Sequence, residues 1–195
     1  MDEEVLRFLE HAKENRYYIA YLLAITCGIR KGEILGLQWK DIDFERRTLS
    51  VNRSLSHITK GFHEPKTSSG KRLLILPDIT LMALNDHLQK ISEKKERYDK
   101  RYNDYDLVCR FRSLTQLLKK LIKKSGVPDI RFHDLRHTHA TLMLQQGIHP
   151  KIVSERSGHK RVGITLDTYL HVVPGLQETA VDQFANELFG MKNFC

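Results

Sequence analysis

The sequence predicts an α+β chain that is mainly α-helical, with a helical, bundle-like core and a small antiparallel sheet of three to four strands. Two patterns predict it. Apolar residues recur at helical spacing through residues 2–27 and again from 77 to 189. β-Branched and aromatic residues separated by short polar turns gather between residues 39 and 76. A hydrophobic fraction of 41% over 195 residues is enough for an ordinary buried core. With no internal repeat, low-complexity tract or clear linker, one domain spanning residues 1–195 is expected.

The first helix, residues 2–13, has Val5, Leu6, Phe8, Leu9 and Ala12 at helical spacing, and Asp2, Glu3 and Glu4 in the first turn, where the macrodipole favours acids. A second, about residues 16–27, is apolar all round and therefore a core helix ended by Gly28. Its Tyr17, Tyr18 and Tyr21 suit packing with a hydrogen-bonded hydroxyl. Arg30 and Glu33 open a short helix beyond it. A surface ion pair is the plain reading of these two, but an Arg set against so much Leu and Ile is expected to be partly buried and to need a fixed anion.

Residues 39–44 and 48–52 read as an antiparallel pair around the turn Glu45-Arg46-Arg47, with a third strand near 56–64 and a fourth near 71–76. Between the last two lies PKTSSGKR, a Ser- and Gly-rich turn with Lys66 at its shoulder, by composition a solvated loop lysine. From Pro77-Asp78 a long helix runs to about Arg97, with Ile79, Leu81, Met82, Leu84, Leu88 and Ile91 as its inner stripe. Residues 114–124 form an amphipathic helix stopped by Gly126 and Pro128. Further helices follow at about 133–146, 151–157, 162–169 and 176–189. The last of these shows Leu176, Ala180, Val181, Phe184, Leu188 and Phe189 on one side, a face able to pack on its own core or on a partner.

Lys plus Arg number 32 against 24 for Asp plus Glu, a formal charge of +8, which favours a polyanionic partner. The excess is densest between Arg110 and Arg161, so the positive field is expected around the segment that carries most of the chemistry. Three cysteines, Cys27, Cys109 and Cys195, form no C-x-x-C pair and suit reduced thiols better than a disulfide frame. The start lacks the basic and apolar regions of an export signal, and no apolar run approaches membrane-spanning length. A cytoplasmic protein without membrane contact is expected.

That chemical segment is RFHDLRHTHATLMLQQGIHPKIVSERSGHKRVGITLDTYLHV, residues 131–172. His133 and Arg136 share one helix face and can grip one anion. His159 follows Gly158, and Tyr169 lies ten residues further on. Breaking a phosphodiester without a metal needs charge neutralisation on the nonbridging oxygens, a nucleophile, and a proton for the departing oxygen. Arg30 and Arg136 offer forked hydrogen bonds to phosphate, and Tyr169 is the candidate nucleophile. Lys66 suits the proton donor. His133 can take the Tyr169 proton or bind the phosphate, His159 can donate to a nonbridging oxygen, and Glu33 supports by orienting the basic groups.

These pieces, TCGIRKGEILGLQWKDID, PKTSSGKRLLIL, HDLRHTHATLMLQQG and VSERSGHKRVGITLDTYLHV, resemble in order the catalytic domain of tyrosine recombinases of the phage and integrative-element integrase branch. The resemblance implies site-specific DNA recombination through a 3′-phosphotyrosine, with Arg30, Lys66, His133, Arg136, His159 and Tyr169 as catalytic residues and no metal or nucleotide cofactor. It also implies double-stranded DNA attachment sites as partners and four protomers acting on two duplexes, with a monomer expected away from DNA and the protein located at the nucleoid. Core-binding and arm-binding domains, usual ahead of this region, are not expected within these residues. Two departures stand out. Ser157 occupies the position where the family usually has Leu before Gly-His, and the join CRFRSLTQ lacks the usual Gly- or Pro-containing loop.

Three rival readings remain. His133, His137 and His139 suggest zinc, but the box lacks the Glu of H-E-x-x-H and Arg136 between the imidazoles would repel a cation, so His137 and His139 are assigned to packing or support. A noncatalytic DNA-binding module would have no need for Tyr169, both arginines and Lys66 together. A type IB topoisomerase uses nearly the same chemistry, and the flanking sequence favours the integrase.

Overall fold

The structure is a computed structural model and describes residues 2–56, 61–63, 70–98, 106–109, 114–169 and 176–190. Helix α1, Asp2–Ala12, buries Phe8 and Ala12 beneath its acidic first turn. Helix α2, Tyr18–Cys27, is buried on every side except at Tyr18 and Thr26, as its unbroken apolar sequence requires. It stops at Gly28, which adopts φ 65° and returns its amide to the Ala24 carbonyl. A Cβ at Gly28 would lie 2.5 Å from Cδ2 of His139, so both the left-handed turn and the close approach demand glycine. The short helix α3, Lys31–Leu35, follows at once.

The sheet region is smaller and more divided than the sequence suggests. Strands β1, Ile42–Asp43, β2, Thr48–Val51, and β5, Arg72–Ile75, form an antiparallel sheet in the order β1-β2-β5, with Thr48 opposite Ile75 and Val51 opposite Arg72. Strands β3, Ser54–Leu55, and β4, Phe62–His63, make a separate two-stranded ladder. The strand expected over 39–44 begins instead as a 3-10 turn, Trp39–Asp41. The buried Asp41 explains the change, because its carboxylate accepts the Gln38 amide at 2.9 Å and pairs with Arg53, bending the chain before it can extend. The third strand expected near 56–64 starts two residues earlier and is split into β3 and β4. Lys66 and the rest of PKTSSGKR up to Ser69 lie outside the described residues, as does the join 110–113.

Helix α4, Asp78–Tyr98, turns Leu81, Leu84, Leu88 and Ile91 of the expected stripe inward but not Ile79 and Met82. Ile79 and Met82 are 62% and 69% exposed, whereas Thr80 and Leu84 are fully buried and Leu81, Leu88 and Ile91 pack partly against the core. The anchor is polar: Thr80 Oγ1 donates to Thr26 Oγ1 of α2 at 3.0 Å, which sets the rotation of the helix. Helix α5, Leu114–Ser125, buries Leu114, Leu118, Leu121 and Ile122 and leaves Lys119, Lys120, Lys123 and Lys124 exposed.

Helices α6, Phe132–Gln145, α7, Pro150–Ser157, and α8, Val162–Tyr169, carry the chemical segment. α6 packs along α2. α7 and α8 close on α6 around a small second core of Ala140, Leu144, Val153 and Tyr169. Helix α9, Leu176–Phe189, leaves Val181, Phe184, Leu188 and Phe189 exposed. Among the described residues no helix is long and apolar enough to cross a membrane. Leu84→Ala should destabilise the fold by about 2–5 kcal/mol in denaturant unfolding, while Met82→Gln should stay within about 0.5 kcal/mol. Equal effects would contradict the observed rotation of α4.

Candidate active site

The site is built around a carboxylate. Glu33, in the first turn of α3, is 5% exposed and receives a two-pronged bond from Arg72 of β5, Nη1 to Oε1 at 3.1 Å and Nη2 to Oε2 at 2.9 Å. It also accepts Arg30 Nη1 at 2.9 Å and the Arg30 amide at 2.9 Å, the latter capping α3. Burial alone would raise the Glu33 pKa. The hydrogen bonds and charges of Arg72 and Arg30 outweigh it and hold the carboxyl below its ordinary value.

Arg72 continues past Glu33, donating Nε to the Arg156 carbonyl of α7 at 2.8 Å, and Arg30 donates Nη2 to the Gly158 carbonyl at 2.8 Å. The turn after α7 is thereby stitched to α3 and β5. Gly158 has φ 64°, and a Cβ there would stand 2.8 Å from Arg72 Nη1 and 3.2 Å from Arg30 Nη1. Only glycine lets this turn approach the two guanidiniums.

Arg136 reaches the same place from α6. It is 2% exposed, and its Nη1 donates to the Gly28 carbonyl at 2.5 Å. Burial, with Arg30 and Arg72 close by and Glu33 opposing them, lowers its pKa to about 9. Two guanidiniums thus bond one buried carboxylate with a third close by, a charge balance able to accept an anion.

Tyr169, the last residue of α8, is buried with its ring in the second core. Burial raises its pKa and Arg136 pulls it part of the way back. Its Oη lies 2.6 Å from Nδ1 of His137, whose ring meets that of His133 edge-on at 4.6 Å between centroids. His133 is exposed, and its pKa is lowered by burial of part of the ring and by His137 and Arg136. His159 Nδ1 is 2.8 Å from the buried Thr165 Oγ1, and burial together with Arg136 and Arg30 lowers its pKa to about 4. His139 faces away from this cluster: its Nδ1–H donates to the Ile25 carbonyl at 2.8 Å, a packing role.

Arg30, Glu33, Arg136, His159 and Tyr169 are therefore gathered in one neighbourhood, with His133 at its edge through His137. Two members went unseen in the sequence. Arg72 shares the inward face of β5 with Leu74, and a charge at period two from a buried Leu is the signal that a buried counterion awaits it. His137, expected to pack or support, is the imidazole on the phenol. Its spacing of four from His133 placed it on the right helix face, but the turn to Tyr169 was not legible. Ser157 is fully buried with Oγ unpartnered among the described residues, where the small hydroxyl leaves a polar atom unsatisfied. Among the described residues no group of three or more His, Cys, Asp or Glu side chains is arranged to hold a metal.

The sequence profile of the phage integrase family matches residues 1–174. The chain belongs to the phage integrase family. It is 34% identical over 210 aligned positions to a tyrosine recombinase XerC-like protein of Caldanaerobacter subterraneus subsp. tengcongensis, covering 96% of this chain and 54% of that protein. It is 29% identical over 200 positions to the ICEBs1 integrase of Bacillus subtilis, covering 93% of this chain and 52% of that one. The chain thus spans about half the length of these curated relatives. In fold it is similar to the Tn1549 transposon integrase in complex with circular intermediate DNA, with TM-score 0.72 and 23% identity over 91% of this chain and 64% of that one. The helical architecture with a small antiparallel sheet is that of this integrase family.

Glu33 makes the integrase site sensitive to acid. Its lowered pKa means that its stabilising effect is complete above the unfolded carboxyl value of about 4.3 and is lost as pH falls through the folded one. Glu33→Gln should flatten that acid limb and cost about 3–5 kcal/mol at neutral pH by leaving Arg72 unpaired. Thermal unfolding across pH checks both effects.

Proposed function

We propose that this integrase-family chain is the catalytic domain of a site-specific recombinase that integrates or excises a mobile element by transesterification at double-stranded DNA attachment sites. The observation that carries the reading is the meeting of a buried tyrosine hydroxyl with an under-neutralised cluster of arginines. Arg30 and Arg136 hold the nonbridging oxygens of the scissile phosphate, aided by His159 and, from the rim, His133. Tyr169 Oη forms the bond to phosphorus, the bond to the 5′ oxygen breaks, and that oxygen leaves with a proton from Lys66. The product is a 3′-phosphotyrosine, which keeps the energy of the broken bond for resealing by another DNA hydroxyl. Such a cycle uses no cofactor or metal. Glu33 and Arg72 orient the arginines without touching DNA.

The similarity to named integrases, transposases and recombinases supports mobile-element DNA as the substrate class. The reading extends to four protomers on two duplexes, monomeric away from DNA and acting at the nucleoid in the cytoplasm. The exposed apolar row of α9, Val181, Phe184, Leu188 and Phe189, favours such an assembly, since a second protomer can cover it.

On a nicked suicide attachment site, the protein should form a covalent adduct resolved on a denaturing gel, and Tyr169→Phe should form none. An adduct persisting in that variant refutes the nucleophile. Arg136→Lys keeps the charge but loses the fork, so cleavage should fall by about 10² to 10³ with DNA affinity changed far less. DNA affinity itself should fall steeply with salt as counterions are released.

A further inference from the structure

We infer that His137 is the proton acceptor for Tyr169, a catalytic residue that neither the His-x-x-Arg box nor the His159 turn supplies. The inference rests on the recombinase reading and adds to it the fate of the phenolic proton. His137 Nδ1 is 2.6 Å from Tyr169 Oη, within reach for direct proton transfer. His133 touches His137 ring to ring, and His159 is bonded to Thr165, so His137 is the imidazole in hydrogen-bond contact with the nucleophile's oxygen among the described residues.

The surroundings suit a base. Half-buried on α6, His137 is held below the ordinary imidazole value by desolvation, with Arg136 and Arg131 lowering it further and Asp134 working the other way. The groups facing it are His133, Asp134 and Arg136 of its own helix, Arg131 just before it, His159 from the turn after α7, and Tyr169 of α8. At neutral pH it is therefore uncharged and has a lone pair to offer. Asp134, one turn earlier, is placed to stabilise the imidazolium once formed.

The step balances. As Tyr169 Oη bonds to phosphorus, its O–H bond breaks and the proton moves to His137 Nδ1. The phosphorus–oxygen bond to the 5′ carbon's oxygen breaks, and that oxygen takes its proton from the general acid. In resealing, the attacking hydroxyl returns its proton to the general acid that cleavage left deprotonated as it bonds to phosphorus, the phosphorus–tyrosyl bond breaks, and the tyrosyl oxygen recovers its proton from the imidazolium.

The decisive variant is His137→Asn, because the Asn Oδ1 takes the place of Nδ1 as hydrogen-bond acceptor while lacking its basicity. Single-turnover adduct formation should slow by about 10² to 10⁴, on both an ordinary nicked site and one with a 5′-bridging sulfur, which needs no general acid. Loss of a general acid would instead be rescued by sulfur. The wild-type rate should level off with rising pH, whereas the variant's should keep climbing with hydroxide, and added imidazole should partly restore His137→Ala. An unchanged rate and pH profile in His137→Asn overturns the inference and reduces His137 to a positioning residue. A separate nitrogen NMR measurement on the DNA-free protein should find Nδ1 of His137 unprotonated. A proton on Nδ1 donating to Tyr169 would overturn the inference, while absence of any wild-type adduct would overturn the recombinase reading instead.

Discussion

The bidentate bond between Arg72 and Glu33 is the constraint on which the rest of the site depends. It joins three parts of the chain that the sequence keeps far apart: α3, which Arg30 caps; β5; and the end of α7 with the turn after it, whose carbonyls receive Arg72 and Arg30. A buried carboxylate is costly without partners, and a buried guanidinium equally so. Each is the other's solution. Because Glu33 also caps α3 through the Arg30 amide, the orientation of Arg30 is set by the same carboxylate that receives Arg72. The sheet thereby acts as a spacer, and its register, with Val51 opposite Arg72, determines where the guanidinium arrives.

Burial above all holds the histidines and the tyrosine in their uncharged forms; the arginines add to it for the histidines and oppose it for Tyr169. His159 and Arg136 both have lowered pKa values, through burial first and then through the arginines beside them. In the proposed reaction an arriving phosphate reverses that balance. Its negative charge satisfies Arg30 and Arg136, removes the repulsion that lowers the imidazole pKa values, and makes a protonated His137 or a donating His159 easier to reach. The proton chemistry is in this way coupled to the presence of the anion.

Most of the fold was legible because its causes are local. The apolar run of α2, the acidic first turn of α1 and the Gly stops after α2 and α7 each follow from residues within one or two turns. The site residues Arg30, Arg136, His159 and Tyr169 were legible as residue types in an order that resembles the integrases. The failures have long-range causes. The rotation of α4 is set by a bond from Thr80 to Thr26 across 54 residues, and the role of Arg72 by a carboxylate 39 residues away. Periodicity within β5 signals that Arg72 has a buried counterion, but neither segment says which distant residue is its partner. His137 is the sharpest case, since its helix face was readable but its partner 32 residues on was chosen by how α8 closes over α6.

The same cluster imposes a stability cost that explains its form. Arg136 loses part of its proton affinity first through burial and then through repulsion by Arg30 and Arg72 around one carboxylate. An isolated protein gains nothing from that arrangement, since a neutral residue at position 136 could still bond the Gly28 carbonyl with less desolvation. On the proposed function it gains an anion site that needs no rearrangement when the phosphate arrives, because the guanidiniums are already fixed by Glu33 and by the backbone carbonyls of Gly28, Arg156 and Gly158. Local strain of this kind, satisfied by a ligand's charge, is a stronger pointer to function than any one residue of the site, because folding alone would remove it.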